Sequence, residues 1–443
     1  MASLFDLREH AREIFYAGLS AADPLEAINH VVQREGHWLT VGERAYDLDQ
    51  FRQIYITGGG KASARMALAM EKLIGDRIAG GIVVVKYGHA VKLGATEVIE
   101  AGHPVPDNAG LSGARRIVEL LQSCDQNDLV FFLLSGGGSA LLPFPAEGLS
   151  LVDKQRTTEA LLESGADIFE INAVRKHLSR LKGGQLARLA APATLVSLVL
   201  SDVVGDSLET IASGPTVPDR STYGACLDIM RRYELARKIP STVLEHLERG
   251  GRGEIAETPK DLGGIFQRVQ NVIIGNIRTA LSSAFRRAKE LGYQAIICSE
   301  ALEGESRVVG RTFAALLKDI STKGQPISPP VCVLSGGETT VTIRGDGLGG
   351  RNQEFALAAA LELSGANQVV VLSAGTDGTD GPTDAAGGIV DGKTVERAMA
   401  QGLDAAAFLD RNDSHHLLRA TEDLFFTGPT LTNVMDLQIG LVA

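Results

Sequence analysis

The sequence has few cysteines, few aromatic residues and no long apolar run. Its four cysteines, Cys124, Cys226, Cys298 and Cys332, lie far apart and form no C-x-x-C pair, which argues against a disulfide framework and against zinc. The longest apolar runs, such as "LVFFLL", are too short to span a bilayer, and the first residues lack the apolar core of a signal peptide. These absences predict a cytoplasmic protein with reduced cysteines and no membrane segment.

Positive charge is also scarce relative to negative charge. The 443 residues include 43 Lys and Arg against 54 Asp and Glu, for a net charge of −11 at pH 7. No basic stripe or arm is present, which argues against general affinity for nucleic acid. An acidic enzyme can still bind small anions where its lysines and arginines are concentrated locally. The expected partners are therefore small molecules, and neither nucleic acid nor a membrane.

Glycine, in contrast, is abundant and lies at the ends of apolar runs. The chain has 50 glycines, and short apolar strands alternate with amphipathic stretches of helical period. This alternation is typical of α/β layers with mostly parallel sheets, and the length predicts two or three domains. The predicted strands include 53–57, 129–134, 194–200, 339–343 and 368–373. The polar, glycine-bearing loop 248–264 is the expected domain boundary.

The stretch "TGGGKAS" follows the first of these strands. It lacks the first glycine and the final Ser or Thr of a Walker A loop, and Ser63 replaces the third glycine of the dinucleotide fingerprint. Lys86, at the end of the next strand, stands where an NAD site has an acidic residue. A lysine there could suit the 2′-phosphate of NADP, so an NADP site is one alternative, although the incomplete fingerprint weakens it. A plain tight turn with a solvated lysine is another. We interpret the turn as an anion site with exposed backbone N–H groups, formed by Gly58, Gly59, Gly60 and Lys61.

Ser-Gly-Gly recurs at the C-terminal ends of two further predicted strands. Ligands of open α/β sheets bind outside the carboxyl ends of the strands, so such turns from two domains could converge on one cleft. The candidate substrate- or phosphate-binding residues are Ser135, Gly136, Gly137 and Gly138 in the first turn and Ser335, Gly336 and Gly337 in the second.

Basic residues cluster in the segment "INAVRKHLSRLKGGQLA". If the predicted helix over 171–181 forms, then Arg175, Ser179 and Lys182 share one face. These side chains form either an electrostatic wall for a polyanion or a solvated helix flank, and the sequence leaves both open. His177 by itself is expected to be structural.

Acidic residues follow two other predicted strands. Asp202 comes after the strand 194–200, and Asp377 comes first after the strand 368–373. Carboxylates at strand ends are suitable for holding Mg²⁺, as phosphoryl transfer requires. Capping of a turn or a helix is the alternative role.

The loop "GDGLGG" opens a strongly predicted helix and is flanked by Arg344 and Arg351. It is a second candidate for binding an anion. A fixed guanidinium at its edge could steady the charge of a transferring phosphoryl group.

The chain resembles the class II glycerate kinase family, whose C-terminal part is the MOFRL domain. The motifs that carry the resemblance include, in order, "GGGKAS", "GHPVPD", "LSGGGSALL", "NAVRKHLSRLKGGQLA", "SDVVGDSLETIASGPTVPD", "LSGGETTVTI", "GLGGRNQEFALA", "SAGTDGTDGPTDAAGG" and "TGPTLTNVMDLQI". The resemblance covers nearly the whole chain. It implies two α/β/α domains, a Rossmann-like glycerate kinase domain over 1–255 and a MOFRL-type domain over 256–443, with an active-site cleft between them. The implied reaction is phosphorylation of D-glycerate by ATP with Mg²⁺, usually at the 2-hydroxyl.

The resemblance also implies roles for single residues. Lys61 would hold glycerate or the transferring phosphate, and Arg351 would stabilise phosphoryl charge. Asp202 and Asp377 would bind Mg²⁺ or activate the substrate hydroxyl, without a choice between the two. Ser135 to Gly138 and Arg175 would contact substrate or phosphate. A homodimer is expected for a soluble enzyme of this size.

One residue departs from the family pattern. The terminal motif of the family commonly reads T-G-P-T-G-T-N-V, and Leu431 stands in place of its second glycine. If that position has a positive φ, leucine is strained there by roughly 1–2 kcal/mol. The role of residues 430–433 is therefore open.

Two other functions compete with the kinase. A hydroxypyruvate reductase, a name attached to some relatives of the family, needs a nicotinamide site, and the incomplete fingerprint at 58–63 argues against one. A binding or regulatory protein without turnover would not need the acidic and basic candidates that this chain retains.

Overall fold

The computed structural model of the protein describes residues 3–260 and 264–443. It divides into two compact units, one formed by Ala27–Ile274 and the other by Met1–Glu26 together with Gly275–Ala443. None of the helices in the described ranges combines the length and the apolar character that crossing a membrane requires.

The secondary structure confirms the predicted α/β class. The α-helices are α1 (Leu4–Ala21), α2 (Pro24–Val31), α3 (Ser63–Ile74), α4 (Asn108–Ser123), α5 (Gly138–Leu141), α6 (Leu151–Glu163), α7 (Ile168–His177), α8 (Gln185–Ala190), α9 (Tyr223–Arg232), α10 (Ser241–Gly251), α11 (Ile277–Glu290), α12 (Ser306–Lys323), α13 (Arg351–Leu363), α14 (Thr394–Ala400), α15 (Ala405–Asp410) and α16 (Ser414–Ala420). The strands are β1 (Val32–Glu35), β2 (Trp38–Val41), β3 (Arg44–Asp47), β4 (Gln53–Gly59), β5 (Ile78–Lys86), β6 (Thr96–Ala101), β7 (Asp128–Leu134), β8 (Thr194–Leu200), β9 (Val269–Gly275), β10 (Gln294–Leu302), β11 (Val331–Gly337), β12 (Val369–Gly375), β13 (Gly387–Asp391), β14 (Leu424–Phe425) and β15 (Asp436–Val442).

The sheet of the Ala27–Ile274 unit has the strand order β6-β5-β4-β7-β8-β9. The pairs from β6 through β8 are all parallel, and β7 is buried at every position, as a central strand covered on both faces must be. Helix α3 connects β4 to β5 in one direction along the sheet, and α4 connects β6 to β7 in the other. Right-handed crossovers therefore place α3 and α4 on opposite faces. A separate antiparallel sheet has the order β1-β2-β3.

One apolar cluster of this unit lies among its helices. Buried side chains of α6, α7, α9 and α10 pack together, among them Leu161, Val174, Met230 and Leu247. Side-chain caps fix the starts of two of these helices, because Ser150 and Asp167 each complete a capping box at α6 and α7.

The sheet of the other unit is mixed. Its order is β10-β11-β15-β12-β13-β14, in which β10 and β11 are parallel and the remaining pairs are antiparallel. The strand β15 lies between β11 and β12, so it runs opposite to both. The prediction of mostly parallel sheets therefore describes the sheet of Ala27–Ile274 and not this one.

The bounds of the units differ from the predicted division into 1–255 and 256–443. Helix α1 packs against α11 so closely that a Cβ on Gly18 would lie 3.0 Å from Ala280 O, which places the N-terminal helix with the C-terminal strands. In the predicted linker 248–264, α10 continues to Gly251, and residues 261–263 lie outside the described residues.

The predicted strand over 339–343 is wrong. In this segment only Thr340 forms a bridge, to Glu305, and Ile343 is 80% exposed. Thr342 donates from its backbone N–H and its hydroxyl to the Glu305 carboxylate. The alternating pattern of "TTVTI" therefore reflects a loop held by side-chain acceptors, with no sheet partner beyond the single bridge.

Leu431 occupies a left-handed backbone conformation. Its φ is +60°, as the missing family glycine implied, and the loop around it is still anchored. Thr430 Oγ1 donates to Thr376 O at 2.6 Å, and Thr432 Oγ1 donates to Ala22 O at 2.5 Å. The loop is anchored by these hydrogen bonds although two of its residues, Leu431 and Met435, have a positive φ.

Replacing Leu431 by glycine is expected to leave the protein about 1 kcal/mol more stable than replacing it by alanine, because both changes remove the same half-buried side chain and only glycine relieves the strain. The substitution removes left-handed strain of roughly 1–2 kcal/mol and costs about 0.5–1 kcal/mol in chain entropy. Urea unfolding followed by circular dichroism measures the difference. Leu431→Ala is the matched control, because alanine keeps the Cβ that causes the strain and should give no gain. Equal stability of the glycine and alanine variants would contradict the assignment.

Candidate functional site

Three predicted site segments in the Ala27–Ile274 unit lie at one edge of its sheet. Lys61 follows β4, the turn that begins at Ser135 follows β7, and Asp202 follows β8. These strands are neighbours and parallel, so their carboxyl ends meet at the same edge. Between β4 and β7 the chain changes the direction in which it adds strands. The crevice outside such a point is where open α/β sheets bind ligands.

The backbone of the "TGGGK" turn differs from the expected anion site. Four consecutive N–H groups donate to protein acceptors: Gly60 to Val84 O at 3.1 Å, Lys61 to Gly136 O at 2.8 Å, Ala62 to Ser135 Oγ at 2.9 Å and Ser63 to Gly60 O at 3.2 Å. Two of these groups bind the turn after β7, one binds β5 and one closes the turn itself, so none of the four is left without a protein acceptor. The role of the Lys61 side chain stays a prediction.

The glycines of this turn serve close packing. Gly60 has a φ of +146°, and a Cβ there would clash with Ser135 Oγ. A Cβ on Gly59 would lie 2.6 Å from Leu142 Cγ, and one on Gly58 would clash with Leu133 O. Gly58 and Gly59 also belong to β4 itself. Close packing against β7 and the residues that follow it therefore explains the three glycines, independently of any ligand.

The turn after β7 brings in a residue that the sequence analysis missed. Gly137 has a φ of +84°, and a Cβ there would lie 2.9 Å from His103 Cδ2 and 3.5 Å from Lys61 Cγ. His103 comes from the motif "GHPVPD", and His89 contacts Lys61 O through Nδ1 at 3.0 Å. Two histidines thus lie beside the Lys61 turn. The motif was visible in the sequence, but nothing in its spacing assigned it to this turn.

The predicted helix with a basic face is shorter than expected. Helix α7 ends at His177, so Ser179 and Lys182 lie beyond it. Arg175, within the helix, is half-buried and makes no hydrogen bond or ion pair with any described residue. The neighbouring His177 contacts the Glu257 carboxylate through Nε2 at 3.0 Å and is buried, in agreement with a structural role.

The candidates of the other unit meet in one row of its sheet. Gly337 at the end of β11, Asp436 at the start of β15 and Gly375 at the end of β12 are cross-strand partners. The Arg351 side chain lies against this row, since its Nε and Nη2 donate to the Asp436 carboxylate at 2.6 and 2.9 Å. Nη2 also donates to Glu338 Oε1 at 2.7 Å. Asp436 and Glu338 are site residues that the sequence analysis missed.

Arg351 is therefore held by two carboxylates. Burial lowers the pKa of its guanidinium, but Asp436 and Glu338 outweigh burial and raise it, so the group stays charged. No described residue accepts a hydrogen bond from its Nη1. The side chain can thus present one fixed nitrogen to an anion while the carboxylates fix its orientation.

Two aspartates follow β12 and have different surroundings. Asp377 Oδ1 accepts from the N–H and the hydroxyl of Thr379 at 3.0 and 3.1 Å, which forms a turn. A Cβ on Gly375 would lie 3.4 Å from Oδ1 of both Asp377 and Asp436, so both carboxylates lie beside that glycine. Asp380 is fully buried, accepts from the N–H groups of Asn352 and Gln353 at the start of α13, and has a pKa raised by burial to about 6.

The second Ser-Gly-Gly segment is not a turn. Ser335, Gly336 and Gly337 lie inside β11 and are paired with β15. A Cβ on Gly336 would clash with Ile277, and one on Gly337 would clash with the backbone of Leu302. These glycines allow close packing of the strand, so the residue of this motif that lies at the site is Glu338.

The predicted metal ligands, Asp202 and Asp377, belong to different units. Over residues 3–260 and 264–443, no three or more His, Cys, Asp or Glu side chains are arranged to hold a metal ion. Mg²⁺ in kinases is typically bound by one or two carboxylates together with the phosphates of the substrate. Carboxylate oxygens at strand ends are of the right chemical type for such a site.

Replacing Arg351 by methionine is expected to destabilise the protein by about 3 kcal/mol. Asp436 is 1% exposed, and the loss of the guanidinium leaves its carboxylate buried without a counter-charge. The value is at the lower end of the usual range because the Arg351 side chain is itself 35% exposed. Urea unfolding of Arg351→Met, Asp436→Asn and the double variant forms the test.

In this double-mutant cycle, the double variant should lose clearly less free energy of unfolding than the sum of the losses in the two single variants. Additive losses would contradict a direct coupling between the two side chains.

Comparison with known proteins places the chain in a family. A domain of unknown function (DUF4147) matches residues 10–248, and the MOFRL family matches residues 331–436. The chain is 46% identical over 391 residues to a D-glycerate 2-kinase of Thermotoga maritima, covering 88% of this chain and 91% of that protein. It is 44% identical over 389 residues to an Agrobacterium vitis protein provisionally named hydroxypyruvate reductase, covering 87% of this chain and 98% of that protein.

A solved structure extends the likeness to the fold. The crystal structure of a glycerate kinase (EC 2.7.1.31) from Thermotoga maritima matches with a TM-score of 0.86 at 42% identity and covers 99% of both chains. The chain therefore belongs to the class II glycerate kinase family, which combines a DUF4147 domain with a MOFRL domain.

Proposed function

We propose that the protein phosphorylates D-glycerate at the 2-hydroxyl with ATP and Mg²⁺, giving 2-phosphoglycerate and ADP. The observation that carries the proposal is the position of Lys61, the Ser135–Gly138 turn and Asp202 at the carboxyl ends of three adjacent parallel strands. This is the ligand-binding edge of an open α/β sheet. The name of the Thermotoga maritima relative, D-glycerate 2-kinase, supports this choice of substrate and position.

The reaction requires charge stabilisation more than covalent participation by the protein. The 2-hydroxyl oxygen of glycerate forms a bond to the γ-phosphorus, the bond from that phosphorus to the β,γ-bridging oxygen breaks, and a carboxylate takes the hydroxyl proton. Lys61 would bind glycerate or the transferring phosphate. Arg351 would donate from Nη1 to a phosphoryl oxygen while Asp436 and Glu338 hold its orientation.

Asp202 and Asp377 would divide the remaining roles between them. One would hold Mg²⁺, and the other would accept the proton of the hydroxyl. Mg²⁺ neutralises charge on the phosphate oxygens when it is bound. Thr379 fixes the orientation of the Asp377 carboxylate through two hydrogen bonds to Oδ1, which is suitable for either role.

Incubation with ATP, Mg²⁺ and D-glycerate, followed by ³¹P NMR, tests the proposal. A new phosphomonoester resonance that requires all three components is the expected result. Its coupling to carbon-bound hydrogen distinguishes the 2-phosphate, with one such hydrogen, from the 3-phosphate, with two. No phosphomonoester would overturn the proposal, and a 3-phosphate would correct its position.

Reduction of hydroxypyruvate is the second candidate, because a relative carries that name provisionally. The backbone of the "TGGGK" turn argues against it, since the N–H groups of residues 60–63 already have protein acceptors. A dinucleotide fingerprint depends on such groups approaching a pyrophosphate. Oxidation of NADPH in the presence of hydroxypyruvate, followed at 340 nm, would reveal this activity.

Replacing Lys61 by alanine is expected to lower kcat/KM for D-glycerate by about 100-fold or more, in the range of a lost electrostatic contact to the reacting group. The fold should be retained, because the turn is held by the backbone hydrogen bonds and glycines described above. Lys72→Ala, which removes an exposed lysine from the following helix, is the matched control. Activity of Lys61→Ala within a few-fold of the original protein would exclude the predicted role.

A further inference from the structure

The buried and half-buried basic side chains of residues 150–190 fall into two groups that differ in their partners. Lys176 pairs with Asp219, with Nζ 3.1 Å from Oδ1, and His177 contacts Glu257. Lys154, Arg175 and Lys182 make no ion pair with any carboxylate in the described residues. Adjacent positions of one helix thus include two basic groups with counter-ions and one, Arg175, without.

Lys182 is a buried cation fixed at the turn after β7. Its side chain is enclosed, and Nζ donates to Ser139 Oγ at 2.6 Å, to Ser139 O at 3.1 Å and to Ala212 O at 3.3 Å. These three neutral acceptors use all three N–H bonds of an ammonium group. Lys182 therefore contributes charge directly beside the Ser135–Gly138 turn, and no described carboxylate balances it.

Lys154 is another enclosed lysine of this region. Its residue is 8% exposed, and Nζ is fully enclosed without a hydrogen-bond partner among the described residues. An unpartnered buried amine costs about 1–3 kcal/mol, and more if charged. Burial and the nearby Arg175 guanidinium lower the pKa of the Lys154 ammonium to about 7. A bound anion would stabilise the protonated form of the Lys154 side chain.

Arg175 connects the other two cations. Burial lowers the pKa of all three groups, and the charge of Arg175 lowers the pKa of Lys154 and of Lys182 further, so the three groups are close enough to repel each other. One turn earlier on α7, Asn172 Oδ1 accepts from Ser213 Oγ at 3.0 Å. Ser213 follows Ala212, the residue whose carbonyl binds Lys182. The helix face of Arg175 is therefore anchored to the loop that holds Lys182.

We infer that Lys154, Arg175 and Lys182 form an oxyanion subsite that takes a carboxylate or a phosphate group. Three basic groups, two of them more than nine-tenths buried, have no carboxylate partner among the described residues, so the positive charge they carry is left for a bound anion to balance. Arg175 and Lys154 have N–H donors for the oxygens of either anion, whereas Lys182, whose N–H bonds are already used, can contribute charge alone. The subsite extends the proposed function, and it rests on that proposal only for D-glycerate as a source of the carboxylate.

Binding of single anions tests the subsite without turnover. Isothermal titration calorimetry uses sulfate, which stands for a phosphoryl group, and D-glycerate alone, which supplies a carboxylate. Neither probe titrates near pH 8. Titrations at pH 8 in two buffers of different ionisation enthalpy measure proton uptake. With a free pKa of about 7, Lys154 is mostly neutral at pH 8 and should take up close to one proton when an anion binds.

The same titrations at pH 6 should show almost no proton uptake, because Lys154 is then protonated before binding. This comparison uses the unaltered protein and does not depend on the folding of a variant. Failure of both probes to bind, or equal proton uptake at pH 6 and pH 8, would overturn the inference. Binding of sulfate alone assigns the subsite to phosphate, and binding of D-glycerate alone assigns it to carboxylate.

Lys154→Met separates a ligand-binding lysine from a structural one. Methionine keeps an apolar chain of similar length, so anion affinity should fall at least 10-fold and proton uptake should vanish. The melting temperature of the anion-free protein should rise by about 2 °C, because an unpartnered buried amine is removed. Lys238→Met, at an exposed position of the same unit, is the control and should change neither property. A lower melting temperature with unchanged anion binding would show a structural role instead.

Discussion

The turns that follow β4 and β7 are packed together more tightly than side chains would allow. Ser135 Oγ accepts from Ala62 N, Lys61 N donates to Gly136 O, and the glycine at 60 leaves no room for a Cβ against Ser135. This contact fixes where the Lys61 side chain begins and where the turn after β7 runs. Buried backbone donors must find acceptors, and here the turn after β7 supplies them to the turn after β4.

The two units differ in whether their candidate site charges are paired with opposite charges. Around Arg351 the charges are matched, because one guanidinium lies between Asp436 and Glu338 and is oriented by them. Around Lys154 and Lys182 no described carboxylate pairs with either ammonium group, and burial lowers the pKa of both. Matched charges fix geometry, whereas unmatched charges create affinity for a ligand that brings the missing sign. A phosphoryl-transfer enzyme requires both properties.

The sequence predicted the strands before Lys61, Ser135 and Asp202 because each is an apolar run that ends in a glycine-rich or acidic turn. It also singled out position 431 as the place where leucine would be strained if φ were positive, and φ there is +60°. It did not predict that the backbone donors of the "TGGGK" turn bind protein acceptors, because the acceptor of Ala62 N, for example, is Ser135, 73 residues away in the chain. Lys154 lies among Asp153, Gln155 and Arg156, a polar pattern typical of an exposed helix, and only tertiary packing encloses it. Asp436 becomes a site residue only because β15 inserts between β11 and β12.

The position of β15 has a consequence for the order in which the chain folds during synthesis. The unit Ala27–Ile274 is continuous, so all of its strands have left the ribosome before the other unit is complete. That other unit combines α1 with a strand, Asp436–Val442, that fills the centre of its sheet. Until this strand emerges, β11 and β12 lack their common neighbour. About 400 residues are synthesised between helix α1 and this strand, so the unit to which α1 belongs is incomplete for most of translation. The nascent chain therefore carries two unpaired strand edges late in translation, the kind of surface that chaperones bind.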